Sequence, residues 1–397
     1  MERDTRLWAI AFGLSLGPAI SNGLARFAYG LILPAMREDL GWSYTQAGWL
    51  NTANAVGYLA GALFTLAAID RIGSQRLFVA GLLAMPLTLA ASAGFSDLWL
   101  QSAFRVAAGI AGAAIFISGG AMAALLFRDE PSRNALAISV YFGGGGLGMI
   151  ASGAALPLLL EHSGAAAWPS AWLLLAGLSA LGAAPGLLAA RICPQSPRRN
   201  RTADDRLPLV QMTYVTTGYF LFAVGYIVYL TFLVALMRQE GATASLIALS
   251  WTLLGFGVML APFLWRNFLA RSVGGAGLGL ACLATGAATI LPVALPGSVT
   301  ALIVSVVVFG LSFFIAPTAV TSFAKKNLVE PLWGRAVAMF TTVFATGQIV
   351  GPTMAGAISD TMGSLSQGMA IAGAILLGGA TLAFLQKPMV ARLAPTG

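Results

Sequence analysis

Residues 8–36 read WAIAFGLSLGPAISNGLARFAYGLILPAM, an apolar run with a single charged residue, Arg26. A membrane-spanning helix needs about 20 consecutive apolar residues, so this run is long enough to cross a bilayer. A guanidinium at mid-depth costs between about 3 and about 15 kcal/mol, depending on the reference state. The helix face that carries Arg26 must therefore look towards protein or water and not towards lipid.

Other polar residues of this run are predicted to share the face of Arg26. Steps of three or four residues lead back to Asn22 and Ser15 and forward to Tyr29, as neighbours on an α-helix do. Two interpretations of Arg26 stay open. It is either a structural residue bonded to carbonyls of neighbouring helices or an anchor for an anionic ligand, and the second is favoured because intramembrane charges usually mark substrate pathways.

The composition of the whole chain is that of a membrane protein. Of its 397 residues 58% are hydrophobic and only 9% are charged, a balance that soluble domains do not have. Two cysteines and one histidine, His162 in a predicted loop, provide neither a disulfide nor a metal site, and no cofactor is expected. The net charge of +8 does not indicate nucleic-acid binding, because the basic residues collect in loops on one side of the membrane.

Apolar segments of helical length predict twelve membrane spans. They lie at residues 8–36, 44–69, 76–95, 98–127, 134–160, 168–191, 208–237, 244–266, 273–295, 299–323, 335–359 and 366–386. If the chain starts in the cytoplasm, the loops on that side carry eighteen Lys and Arg residues, and the opposite loops carry only Arg37 and Arg238. Because cytoplasmic loops are enriched in positive charge, both termini are predicted to be cytoplasmic.

A polar segment after the sixth span divides the chain into halves. We therefore predict an all-α membrane protein whose twelve helices form two pseudo-symmetric six-helix bundles, residues 1–192 and 209–397. A cytoplasmic loop at residues 193–208 would join them. The division into six and six is typical of transporters that are built from parallel repeats.

A short motif is repeated at equivalent places in the two halves. Glu130 and Arg133 belong to the sequence EPSR, which opens the fifth predicted span. About 200 residues later, Glu330 and Arg335 belong to EPLWGR, which opens the eleventh. Glycine-rich stretches follow both motifs, which supports an internal repeat of six spans.

These features together resemble the major facilitator superfamily of transporters. Between spans two and three, Asp70, Arg71 and Gly73 are similar to the D-R-x-G kernel of its loop signature, whose aspartate latches the two halves on the cytoplasmic side. In span four, RVAAG from Arg105 resembles the R-x-x-q-G motif, with Ala108 where glutamine is common. The run RFAYG from residue 26 is similar to an uncharacterised bacterial subgroup.

The resemblance implies alternating access in a monomer of the bacterial inner membrane. Spans one, four, seven and ten line the central cavity in that family, so Arg26 and Arg105 could face the same space. The resemblance and the repeated motif together imply a gating or latch role for seven residues. These are Asp70, Arg71, Gly73, Glu130, Arg133, Glu330 and Arg335.

The distribution of acidic residues favours an anionic substrate. All 14 Asp and Glu residues lie in loops or at span ends, so Arg26 and Arg105 have no predicted counter-ion within the membrane. An anionic ligand would supply the missing charge, and the guanidinium fork suits carboxylate, phosphate or sulfonate. We therefore predict a secondary transporter of a small organic anion or amphiphilic acid, whose partners are that substrate and the lipid bilayer.

The candidate substrate-binding residues are polar or aromatic side chains in spans one, two, four, seven and eleven. In span two, amides usually hold helices together, and aromatic stripes such as that of span seven more often pack between helices, so a purely structural role stays open for both. The candidates are Arg26, Asn22, Tyr29, Asn51, Asn54, Arg105, Tyr226, Tyr229 and Gln348.

Two functions other than anion transport are an intramembrane enzyme and an exporter of neutral compounds. An intramembrane enzyme is excluded by the absence of a Ser and His pair within spans and of paired Asp-rich motifs in the inner loops. The remaining alternative is an efflux transporter of neutral or amphiphilic drug-like compounds in which both arginines are structural. A neutral replacement of Arg26 distinguishes the two transporters.

Overall fold

The structure is a computed structural model that describes residues 2–194 and 207–389, and all regular elements of that part are helices. The predicted loop at 193–208 lies outside the described residues except for its first two and last two positions. The helices of the predicted N-terminal half are α1 (Glu2–Pro18), a π-helix (Ala19–Phe27), α2 (Tyr29–Leu40), α3 (Tyr44–Ile72), α4 (Ser74–Ser92), α5 (Leu98–Ala123), α6 (Pro131–Ser163), a short 3-10 helix (Ala165–Ala167) and α7 (Trp168–Ile192).

The predicted C-terminal half is also helical throughout its described residues. Its helices are a 3-10 helix (Leu209–Met212), α8 (Thr213–Gln239), α9 (Ala244–Arg271), α10 (Ala276–Ala294), α11 (Val299–Ser312), α12 (Ile315–Asn327), a 3-10 helix (Glu330–Leu332), α13 (Trp333–Met362) and α14 (Leu365–Leu385).

Each predicted span coincides with one helix or with consecutive helices. Eleven helical segments of the described chain are long and apolar enough to cross a membrane. The segment predicted as the eleventh span is α13, which has 30 residues but is not among those eleven. Its several threonines and Gln348 lower its hydropathy. The number of twelve spans and their division into two bundles therefore stay predictions.

The first span is not one regular α-helix. Pro18 ends α1, and because proline has no N–H it removes a hydrogen bond from the helical ladder. The following π-helix, Ala19–Phe27, is buried along its whole length and carries Arg26 in its last turn. Its i→i+5 hydrogen bonds change the angle between successive side chains, so the spacing of an α-helix does not hold through this segment.

Glycines let helices of the two predicted halves approach closely, as Gly48 and Gly146 show. A Cβ atom on Gly48 of α3 would collide with the Pro352 carbonyl of α13. A Cβ atom on Gly146 of α6 would collide with the Gly255 carbonyl of α9. Small residues at such contacts are typical of helix packing within membranes, where close backbone approach replaces hydrophobic burial as the attraction.

Candidate substrate-binding site

Arg26 is buried where the π-helix meets α3 and α13, with 4% of its surface exposed. Its Nη2 donates a hydrogen bond to Oε1 of Gln348. Its guanidinium lies over the ring of Tyr58, 4.9 Å from the ring centroid. Its Nε is buried and has no hydrogen-bond partner. The cation thus contacts a neutral amide and an aromatic face, and its Nε–H group has no acceptor among the described residues.

Gln348 connects Arg26 to a second helix of the predicted C-terminal half. Its side chain is fully buried, and its Nε2 donates to the hydroxyl of Tyr226 in α8. The bonds from Arg26 through Gln348 to Tyr226 therefore join the π-helix to α13 and α8. We call these three residues the central triad.

The ring of Tyr226, a member of the central triad, lies nearly parallel to three other aromatic rings. The ring of Tyr226 is 5.0 Å from that of Phe222, 5.4 Å from that of Phe344 and 5.8 Å from that of Phe313, with interplanar angles of 2° to 15°. Such offset stacks add about 0.5–1.5 kcal/mol per pair beyond the burial of area. Phe344 is only partly buried and the other three are buried. We call these four rings the aromatic array.

Arg105 occupies a separate site within the predicted N-terminal half. Its Nη1 donates to the Ala25 carbonyl at 2.6 Å, and its Nε donates to the Leu50 carbonyl at 3.4 Å. Its guanidinium lies 4.9 Å from the ring centroid of Tyr29 and 5.6 Å from that of Trp172. Arg105 shares no hydrogen bond or ring contact with the central triad in this conformation.

Arg26 and Tyr29 were predicted to share a helix face, but their side chains contact different neighbours. Tyr29 packs against Arg105 and donates to the Ala47 carbonyl at 2.7 Å, whereas Arg26 lies against Tyr58 and Gln348. The π-helix ends between the two residues, and its different turn separates side chains that an α-helix would align.

The other predicted residues lie outside the central triad. Asn51 donates to Thr231 of α8 at 2.5 Å and so joins the two predicted halves, and its Oδ1 is buried without a partner. Asn54 donates to the Arg105 carbonyl at 3.1 Å. Tyr229 bonds to Ser305 at 2.7 Å, and Asn22 is buried with 6% exposure. The bonds of Asn51, Asn54 and Tyr229 link helices in this conformation.

The candidate set lacks four contacts of the site, which are Tyr58, Phe222, Phe313 and Phe344. Tyr58 follows Asn51 and Asn54 at helical spacing in α3, and this periodicity was the signal for it. Phe344 precedes Gln348 by four residues on one face of α13. Phe313 lies at the junction of α11 and α12, and no sequence pattern indicates it.

The predicted gating residues are at the membrane end where α1 begins. Asp70 and Arg71 are exposed and form no hydrogen bond or ion pair with a described residue. Gly73 ends α3 with a φ of 93°. Arg133 forms ion pairs with Asp4 at 2.9 Å and Glu130 at 3.1 Å, and all three are nearly half exposed. Glu330 and Arg335 lie at the start of α13, and both have interaction partners.

At the opposite end of the helices, two carboxylates join the predicted halves. Asp360 of α13 accepts hydrogen bonds from the backbone N–H groups of Tyr44 and Thr45 at 2.9 and 2.8 Å and from Thr45 Oγ1 at 2.6 Å. Glu161 of α6 accepts a longer one, 3.4 Å, from the Ala244 N–H of α9. Both carboxylates therefore lie at helix N-termini, where the backbone favours negative charge. We call these two contacts the end lock.

The hydrogen bonds of the end lock change the acidity of Asp360. Partial burial raises the pKa of its carboxyl, but the hydrogen bonds from Thr45 and Tyr44 stabilise the charged form more strongly. The pKa therefore lies below its ordinary value of 3.8, and Asp360 is ionised at neutral pH.

The sequence and the fold both match known transporters. The family described as uncharacterised MFS-type transporter YbfB matches residues 19–384 of this chain. This chain belongs to that family. It is therefore a multi-pass membrane transporter of the major facilitator superfamily that moves a small molecule, and it is not an enzyme. No protein of curated function matches its sequence.

Two solved transporters have a similar fold. A mutant of the nucleoside transporter NupG is 14% identical, with a TM-score of 0.67 over 95% of this chain and 97% of its own. A bacterial homolog of the human lysosomal transporter Spinster, in an inward-facing and unoccupied conformation, is 18% identical, with a TM-score of 0.67 over 96% of both chains. At these identities the likeness shows the major facilitator fold alone. Among the described residues there is no cluster of side chains suited to hold a metal ion.

Proposed function

We propose that this transporter carries a small organic anion or amphiphilic acid by alternating access, and that Arg26 binds the anionic group. The unpaired Nε of Arg26, buried beside a neutral amide, is the observation that carries this proposal. No described Asp or Glu forms an ion pair with Arg26, although a buried cation without a counter-ion is costly. A ligand anion would supply the missing charge.

The proposed site lies where the predicted halves meet, as alternating access requires. Arg26 belongs to one half, and Gln348 and Tyr226 belong to the other, so a ligand bound there would contact both. The end lock joins the predicted halves at one membrane end, whereas Asp70 and Arg71 at the other form no ion pair with a described residue. We assign Arg105 a structural role, because it bonds to two carbonyls of its own half, although its Nη2 is also buried without a partner. We further propose that the transporter is a monomer in the bacterial inner membrane and that both termini lie in the cytoplasm.

An exporter of neutral or amphiphilic compounds is the second candidate. One observation favours it: Arg26 already donates a hydrogen bond to Gln348, which is uncharged. In that case Arg26 would only hold the two halves in register. Its replacement by a neutral residue would then change the apparent stability of the protein but not its preference among ligands.

The test is a thermal-shift screen of the purified transporter followed by two substitutions of Arg26. Carboxylates, phosphonates, sulfonates and neutral drug-like compounds are compared, because a ligand that binds the folded state raises its apparent stability. For an anionic hit, Arg26→Lys should weaken binding because it loses the planar fork, and Arg26→Gln should abolish it. Hits that are all neutral, or an anion that binds Arg26→Gln as tightly as wild type, would favour the exporter.

A further inference from the structure

We propose that the Gln348 carboxamide occupies the position that the substrate's carboxylate takes on binding, and that the substrate is a planar aromatic acid that displaces it. This inference rests on the proposed role of Arg26 as the anion-binding residue. It adds the chemical class of the substrate and assigns Gln348 the role of an internal competitor.

The first support is the half-used donor edge of Arg26. Nε and Nη2 point in the same direction on one edge of a guanidinium, and a carboxylate can accept from both at once. Gln348 has a single carbonyl oxygen, which accepts from Nη2, and Nε is left buried without a partner. A carboxamide has the flat shape of a carboxylate but lacks its charge and its second acceptor oxygen. A carboxylate at this place would satisfy both donors.

The second support is the way Gln348 is held. Its Nε2 donates to the Tyr226 hydroxyl, which orients the carbonyl towards Arg26. If a carboxylate replaced the amide, the Tyr226 hydroxyl could turn and donate to one of its oxygens, because a phenol is both donor and acceptor. Tyr226 thus suits the amide and the acid, and it gives the anion a second partner besides Arg26.

The aromatic array supplies the argument for a flat substrate. The ring planes of Phe222, Phe313 and Phe344 make angles of 2° to 15° with that of Tyr226. A planar ring can join such a stack in an offset arrangement, whereas a saturated ring of the same size is thicker and lacks the complementary quadrupole. Phe344 is the one partly exposed member and follows the same face of α13 as Gln348. The ring of the substrate would therefore enter beside Phe344 while its carboxylate meets Arg26.

Displacement of Gln348 also links binding to movement. The bond from Arg26 to Gln348 joins the π-helix to α13, and the substrate can take its place only if this contact between the predicted halves breaks. Part of the binding free energy is consequently used to separate α13 from the π-helix. Removing the competitor should strengthen binding, because the substrate then has no Arg26–Gln348 bond to break.

The experiment measures the binding of three matched probes to purified full-length protein by calorimetry at millimolar concentrations. Benzoate carries both a planar ring and a charge, cyclohexanecarboxylate keeps the charge without a planar ring, and benzamide keeps the ring without the charge. Benzoate should bind more tightly than either of the others. Equal binding of cyclohexanecarboxylate, or no binding of benzoate to any variant, would overturn the inference.

Two substitutions of Gln348 should change benzoate binding in opposite directions. Gln348→Leu removes the competitor and should raise the affinity about tenfold or more, the worth of a hydrogen bond to a charged group. Gln348→Glu gives Arg26 an internal carboxylate and should lower the affinity by about tenfold or more. Gln101→Leu is the control, because Gln101 is also a fully buried glutamine but bonds to the Ser92 and Phe95 carbonyls in the N-terminal half. It should leave benzoate binding unchanged.

The outcomes separate this inference from the proposed function. If Gln348→Leu weakens benzoate binding, Gln348 is a direct ligand and not a stand-in, and the inference is overturned. The same holds if both Gln348 variants bind as wild type does. In either case, if Arg26→Gln no longer binds benzoate, the proposal that Arg26 binds the anionic group still stands. If Arg26→Gln binds benzoate like wild type, the proposed function itself fails.

Discussion

Asp360→Ala should open the membrane end at which α3 begins. The Asp360 carboxylate accepts three hydrogen bonds of 2.6 to 2.9 Å from Tyr44 and Thr45, and so it caps the N-terminus of α3 from another helix. α3 also has its own cap, because Ser43 and Gln46 bond to each other's backbone N–H groups. The helix should therefore stay folded in the variant, and the change should affect the contact between α3 and α13.

The size of the effect follows from the value of a helix cap. Replacing an Asp cap by alanine costs about 0.5–2 kcal/mol. Asp360 is largely exposed, so we expect the lower part of that range, about 0.5–1 kcal/mol. If the open state lacks these bonds, the ratio of open to closed molecules should rise by about two- to fivefold.

The assay follows a cysteine that is accessible only when this end opens. Thr52 is buried between α3 and α13, where its Oγ1 donates to the Ile349 carbonyl at 2.8 Å. In a Thr52→Cys background, the rate of maleimide labelling is proportional to the open fraction when opening is fast compared with labelling. The native cysteines Cys193 and Cys282 are both buried.

A neighbouring threonine provides the control for this assay. The Thr361 side chain bonds only to carbonyls of its own helix, so Thr361→Ala should leave the labelling rate unchanged. A labelling rate in Asp360→Ala equal to that of its parent would refute the end lock as a contact that holds this end closed.

Three further predictions concern pH, Arg105 and Cys193. The contribution of Asp360 to the end lock is fully present above the ordinary carboxyl pKa of 3.8 and is lost as the pH falls through the lowered pKa of Asp360. Labelling of Thr52→Cys, normalised to an exposed cysteine, should therefore be constant from about pH 5 to 8 and rise only in stronger acid, and a change near neutral pH would contradict this. Arg105→Gln should lower the apparent melting temperature, since it removes a buried charge-assisted hydrogen bond to Ala25, worth about 1.5–3 kcal/mol, and a longer one to Leu50. It should not change the preference for acids over amides, which a binding assay checks. The Cys193 thiol is buried, and burial raises its pKa to about 11, so it should react with maleimide only after denaturation, from whichever side the reagent is added.

The sequence alone predicted the helices well and the contacts of the site less well. Long apolar runs located the helices because a bilayer requires about 20 apolar residues in each span. The π-helix after Pro18 has no comparable sequence signal, and for this reason Tyr29 was predicted on the face of Arg26 and lies instead against Arg105. A one-residue change in helical turn is enough to move a side chain to another neighbour.

Contacts between distant parts of the chain were not predictable from one sequence. Arg26 and Gln348 were each predicted as candidates, but their bond spans 322 positions and depends on how the predicted halves meet. Asp360 was counted only as an acid at a span end, since its capping of α3 likewise depends on tertiary packing. The absence of carboxylates from the spans was visible in the sequence because it depends only on composition and hydropathy.

The most direct test of the central claim is the coupling between the charge of Arg26 and the charge of the ligand. Binding of an aromatic acid and of its neutral carboxamide is measured by calorimetry in wild type and in Arg26→Gln, which gives a double-mutant cycle. If Arg26 binds the anionic group, the acid should lose about 2–5 kcal/mol, at least roughly thirtyfold in affinity, and the carboxamide should lose much less. Equal losses for the acid and the carboxamide, or none for either, would contradict the claim that Arg26 binds the anion.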